Sequence, residues 1–168
     1  GGEIHVAGDC GGWVGAEMHA GFIHVRGNAG HLVGAAYRGS AKGMTGGTIL
    51  VDGNAGNEIG LTMRRGLIAI SGNTGDMIGF NMIAGTVLAF GDCGIRPGAG
   101  MRRGTIALLG PNPPPLLPSF RYSGTDRPAI LSVLLRHVRA RESEGDHVHA
   151  GALDPTQQSA ELQRKRCD

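Results

Sequence analysis

A glycine followed by two alternating aliphatic residues opens six segments of this chain, at Gly2, Gly21, Gly47, Gly66, Gly85 and Gly104. The intervals between them are 19, 26, 19, 19 and 19 residues, so the one irregular interval is a 19 with seven residues inserted. The units share the template G-x-Φ-x-Φ-x-G-[ND]-x-G-x-x-Φ-G-x-x-M-x-x, with Φ aliphatic, and its positions are numbered below as slots 1 to 19. Slot 3 holds Ile4, Ile23, Ile49, Ile68, Val87 and Ile106; slot 5 holds Val6, Val25, Val51, Ile70, Ala89 and Leu108. Alternation with period two predicts a short strand with one buried face. Slot 17 is methionine in all five complete units: Met18, Met44, Met63, Met82 and Met101.

A 19-residue repeat is too short for a helical hairpin and far below a propeller blade of roughly 40 residues. It fits one coil of a parallel β-helix, each coil adding a rung about 4.8 Å above the last. Equivalent slots then stack, and columns of Ile, Val and Met fill the interior. Slot 8 holds Asp9, Asn28, Asn54, Asn73 and Asp92 between glycines, the signature of a turn repeated as a ladder. A left-handed hexapeptide helix would need apolar residues every six positions, and this template breaks that phase. The expected fold is all-β: a right-handed parallel β-helix over residues 1–110.

Two departures from the repeat predict further organisation. An insertion at residues 35–43 leaves the second unit and carries Tyr37, Arg38 and Lys42. An irregular loop on a regular scaffold suits binding, and a tolerated surface insertion fits equally well. The run "PNPPPLLPSFRYSG" stops the last rung, because proline cannot donate to a ladder, and gives an extended exit segment over 111–126. A helix is expected over 127–142, with Asp126 as N-cap, Pro128 in the first turn and Ile130, Leu131, Leu134, Leu135 and Val138 on one face. Its expected place is over the open end of the β-helix, as a plug, or on a partner. Residues 143–168 are polar and aperiodic and read as an extended, partner-bound or disordered tail. The chain opens inside the pattern without an initiator methionine, so further residues are expected before Gly1.

Composition narrows the function classes. Glycine supplies 31 of 168 residues without collagen spacing, and the formal net charge is only +2, which favours neither nucleic acid nor a membrane surface. No apolar run approaches the roughly 18 residues that span a bilayer. Three cysteines, Cys10, Cys93 and Cys167, form an odd set without metal-ligand spacing, which suits a reducing cytoplasm. Cys10 and Cys93 share slot 9 four rungs apart, roughly 19 Å by the rung spacing, too far for a disulfide.

No nucleophile elbow, P-loop or zinc-protease motif is present, so no catalytic residue and no metal site is assigned. His5 and His24 share slot 4 and read as an outward polar pair. His147 and His149 lie in the tail. The methionine column reads as gap-filling core. The arginines differ: Arg64 and Arg65 fill slots 18 and 19 of the third unit, and Arg102 and Arg103 fill the same slots of the fifth. The two pairs are expected on one wall about 10 Å apart. Such a wall suits a polyanion, since guanidinium groups bind carboxylates through two hydrogen bonds; a solvated edge kept soluble by like charge fits as well.

The template resembles the glycine-rich β-helix of two groups. One is the C-terminal domain of the large glutamate synthase chain. The other is the glycine-rich, β-helical subunit of formylmethanofuran dehydrogenase and of the bacterial formyltransferase/hydrolase complex. The stretches "GAAYRGSAKGMTGG" and "MRRGTIALLGPNPPPLLPSFRYSG" look like the second group. That resemblance implies a non-catalytic, cytoplasmic scaffold in tetrahydromethanopterin-dependent one-carbon metabolism, with amidohydrolase-like and formyltransferase-like partner subunits. It implies a methanofuran-type carrier with a glutamate-rich tail, and metals held by other subunits. Arg64, Arg65, Arg102 and Arg103, with Tyr37, Arg38 and Lys42, are the candidates for carrier or partner binding. The first group would make the chain a structural domain of a glutamate synthase-type amidotransferase.

Overall fold

The computed structural model describes residues 1–125, 129–145 and 162–163. Six strands of four residues each, β1 (Glu3–Val6), β2 (Phe22–Val25), β3 (Thr48–Val51), β4 (Leu67–Ile70), β5 (Thr86–Ala89) and β6 (Thr105–Leu108), pair in parallel and in sequence order. The register matches slot to slot, with Ile4 opposite Ile23, Ile23 opposite Ile49 and so on to Val87 opposite Ile106. The insertion is therefore absorbed outside the sheet, and the 19-residue solenoid expected from the repeat is the fold. A second ladder of parallel bridges joins Ala29, Ala55, Thr74 and Cys93, all in slot 9.

The interior is one apolar cluster in which the slot 3 and slot 5 columns meet the methionines. Met44, Met63, Met82 and Met101 are buried; Met18, in the first coil, is only partly so. Slot 14 is glycine for a packing reason as well as a conformational one. Gly34 has φ 67 and Gly79 has φ 68. A Cβ on either would stand 2.5 Å from the Cδ1 of a slot 3 isoleucine, Ile68 or Ile106.

The strands bury both faces, where the sequence predicted one. From the third coil onward the outward slots 4 and 6 hold Leu50, Leu88, Ala107, Phe90 and Leu109, which form a second apolar cluster outside the sheet. Helix α1 (Ala129–Gly145) closes it, with Leu131 and Val138 buried and Leu134 and Leu135 half-buried against it. A parallel sheet is stable with both faces covered, and the apolar outer face draws the helix there. The helix therefore does not plug the solenoid end. Phe120, from the exit segment, packs against the interior cluster instead, over Gly98, whose absent Cβ would lie 2.7 Å from the ring. Ile130, expected on the buried face, is 43% exposed.

At the opposite end β1 has no preceding rung among the described residues, and Ile4 is 55% exposed. A two-residue strand, β7 (Leu162–Gln163), pairs antiparallel with Ala107 and Ile106 of β6. Asp126 and Pro128, expected at the helix start, lie outside the described residues, as do His147, His149 and Cys167. Among the described residues no helix is long and apolar enough to cross a membrane.

Candidate interaction surface

Each coil turns its corners by hydrogen bonds to its neighbours. In slot 8, Asp9 accepts from the backbone N–H of Asn28, Asn28 from Asn54, Asn54 from Asn73, and Asn73 from Asp92, at 2.7–2.8 Å. Asn112 extends this ladder into the proline-rich exit, donating to Asp92. The slot 7 glycines make room for it: a Cβ on Gly53 would stand 2.6 Å from Asn28 Oδ1. A second ladder, in slot 11, was not read from the sequence. His31 Nδ1 accepts from Asn57 N–H at 2.8 Å, Asn57 Oδ1 from Asp76 N–H and Asp76 Oδ1 from Ile95 N–H, each at 2.9 Å. His, Asn and Asp share only an acceptor atom at the same reach, which no single-letter pattern records. The bond to Asn57 fixes the ring proton of His31 on Nε2.

The wall after the ladders is built from two tight turns per coil. Phe80 N–H bonds Met77 O and Met82 N–H bonds Gly79 O; the first, third and fifth coils repeat this, and in the second the insertion separates Gly34 O from Met44 N–H, which still bond. Slot 12 has positive φ in all five coils although none of its residues is glycine: Trp13 (68), Leu32 (67), Glu58 (57), Met77 (55) and Arg96 (58). Slot 16 repeats this at Glu17 (54), Thr62 (51) and Asn81 (52). The N–H groups of slots 12 and 16 point toward the following coil. Leu32 donates to Asn57 O, Glu58 to Asp76 O and Met77 to Ile95 O, whereas Gly60 and Gly79 donate back to Val33 O and Ile59 O.

The arginines stand where the register places them. Arg64, Arg65, Arg102 and Arg103 are all exposed at slots 18 and 19, after buried Met63 and Met101. Arg64 N–H bonds Met44 O and Arg102 N–H bonds Met82 O, so each pair is fixed to the coil before it. Ile83 and Ala84 occupy the intervening coil, half-buried. In slot 18 of the two earlier coils, Thr45 Oγ1 lies 2.6 Å from His19 Nδ1.

The insertion loop is anchored at its start. Ala35 and Ala36 are buried, Tyr37 N–H bonds Glu17 Oε1 at 3.1 Å, and the Tyr37 ring stacks on Trp13 with centroids 5.2 Å apart at 20°. Tyr37 is 53% exposed, and Arg38 and Lys42 are exposed beyond it. The loop thus lies beside the turn wall, one column from the arginine corner.

His5 and His24 face out of the solenoid side by side, as expected, with ring centroids 6.1 Å apart, and they differ from the expectation in that His24 is covered. His24 is only 1% exposed, lodged beside Phe22 and Leu50 on the outer sheet face. Its Nε2 lies 2.8 Å from Asp52 Oδ1, and Arg26 Nη1 lies 3.6 Å from Asp52 Oδ2. The signal in the sequence was the diagonal neighbour on the same face, slot 6 of the next coil, hidden by the insertion. No group of three or more His, Cys, Asp or Glu among the described residues is placed to hold a metal ion. Cys10 and Cys93 are free thiols. Burial pushes the Cys93 thiol above its ordinary value, the adjacent Thr74 hydroxyl opposing and the Asp76 carboxylate adding to the rise.

No protein-family model matches the chain, and no curated protein does. Among solved structures, the chain is similar to one chain of the formyltransferase/hydrolase complex (FhcABCD) from Methylorubrum extorquens in complex with methylofuran. The two are 34% identical with a TM-score of 0.76, over 83% of this chain and 52% of the other. The chain therefore spans about half the length of the chain it matches. The resemblance to that complex, read from the glycine template and the ends of the repeat, is borne out in fold and sequence together.

Proposed function

We propose that this chain is the glycine-rich, β-helical subunit of a cytoplasmic formyltransferase/hydrolase complex, and that it acts as scaffold rather than catalyst. The observation that carries this reading is the joint likeness in sequence and fold to a chain of FhcABCD. The architecture supports it. The slot 8 ladder and the sheet staple every coil to the next, a second side-chain ladder joins the second to the fifth, and the rod is stiffened by a core on each side of that sheet. Such a rod holds amidohydrolase-like and formyltransferase-like subunits at a fixed separation, and any metals belong to those subunits. Native mass spectrometry of the assembly purified through this chain tests the reading. The expected partners are those two subunit types; a flavin and iron–sulfur synthase partner would overturn it.

Within that complex the arginine corner faces the acidic tail of a methanofuran-type carrier. Arg64, Arg65, Arg102 and Arg103 lie on one side of the rod in one register, the arrangement that a chain of carboxylates spaced along the axis would meet. Replacing all four by alanine is expected to raise the KM for the formylated carrier about tenfold, with kcat and assembly preserved. An unchanged KM in an intact assembly removes the corner from carrier binding. Tyr37, Arg38 and Lys42 belong to the adjoining partner surface.

A further inference from the structure

Slot 12 raises a question that the solenoid does not answer. Its backbone adopts positive φ in all five coils, and glycine adopts that conformation at the least cost. Slots 1 and 14 use glycine at each of their positive-φ positions, Gly21 to Gly104 and Gly15 to Gly98. Slot 12 never does, and carries Trp13, Leu32 and Met77 among its five residues. These side chains are half-buried and belong to neither apolar cluster. Leu61 and Phe80, three residues beyond slot 12 in the third and fourth coils, are placed alike. Tyr37 joins them through its stack on Trp13. Strained backbone that presents large apolar groups outside its own core points to a use beyond the fold.

We infer that this ridge is the face by which the chain docks onto another protein subunit. The inference rests on the functional reading above and names the surface. Tryptophan, tyrosine, phenylalanine and methionine are the residues enriched in interface centres, and here they form one column and its neighbour. The charges around them define the partner. Exposed Arg38 and Lys42 stand at one end of the ridge and Arg96 at the other, while Glu58, between Leu32 and Met77, and Asp76, beside Met77, place carboxylates at its middle. The complementary surface is apolar, basic at its middle and acidic at its two ends. A ridge with this charge order also fixes the rotational setting of the rod against the partner.

Two variants of the full chain, each titrated against the remaining subunits of its assembly, provide the test. Leu32→Gly with Met77→Gly removes two ridge side chains and relieves their backbone. It is expected to raise the melting temperature of the chain by a few degrees and to weaken assembly at least about tenfold. Leu61→Glu with Phe80→Glu places charge on the ridge without touching either core, and is expected to weaken assembly similarly with melting unchanged. Assembly as tight as wild type in both variants overturns the inference while leaving the scaffold reading intact. A lowered melting temperature in the glycine variant overturns it too, since the side chains then serve the chain's own fold. Self-association of the wild-type chain that Leu61→Glu with Phe80→Glu abolishes would assign the ridge to a second copy and overturn the partner subunit. A wild-type chain that assembles with no other subunit overturns the inference and the scaffold reading together.

Discussion

The sheet wall and the turn wall of this solenoid are made by the same 19-residue repeat and solve opposite problems. The sheet wall uses four-residue strands in matched register, buries side chains on both faces and carries its own cover, helix α1. The turn wall compresses two tight turns into each coil, inverts its backbone at three slots and leaves apolar side chains outside both cores. In a stacked fold, hydrogen bonding between coils is met on both walls, yet only one of them also completes its apolar packing within the described residues. The incomplete wall is where a partner has something to add.

That contrast can be broken at its tightest point first. Gly79→Ala puts a Cβ at φ 68 and 2.5 Å from Ile106 Cδ1. Adding the left-handed penalty to the overpacking, it should cost about 3 kcal/mol of stability in a denaturant titration. A loss below about 1 kcal/mol would mean that the turn wall yields more readily than a packed interior does. On the sheet wall, Leu131→Ala should cost about 2 kcal/mol, the lower end for a buried leucine. That loss should appear as helical signal melting ahead of the strands, because α1 is an added layer rather than a rung. A single transition for helix and strands would join the two walls into one cooperative unit. The smallest effect has the opposite sign. Glu58→Gly keeps φ 57 but removes its strain, and should gain about 1 kcal/mol; a loss would show that the Glu58 side chain supports the turn.

The period, the columns and the ladder in slot 8 were legible in the sequence because a stacked fold writes each structural role at a fixed interval. The arginine corner was legible for the same reason. What escaped has a physical pattern. Helix α1 was misplaced because alternation in the first two units, with His5, His24 and Arg26 in the even slots, suggested a polar outer face. Leu50, Leu88, Phe90 and Leu109 in later units say otherwise. The His24–Asp52 pair crosses the insertion, which displaces the partner from its regular interval. Positive φ in slot 12 left no chemical trace, since Trp, Leu, Glu, Met and Arg share nothing; it is imposed by the glycines and bonds around it.

The two side-chain ladders run one way. In every step that joins two coils, the acceptor belongs to the earlier coil and the backbone donor to the later one. A coil leaving the ribosome therefore meets its corner acceptors already in place on the coil synthesised just before it, and the solenoid can be laid down in the order in which it is translated.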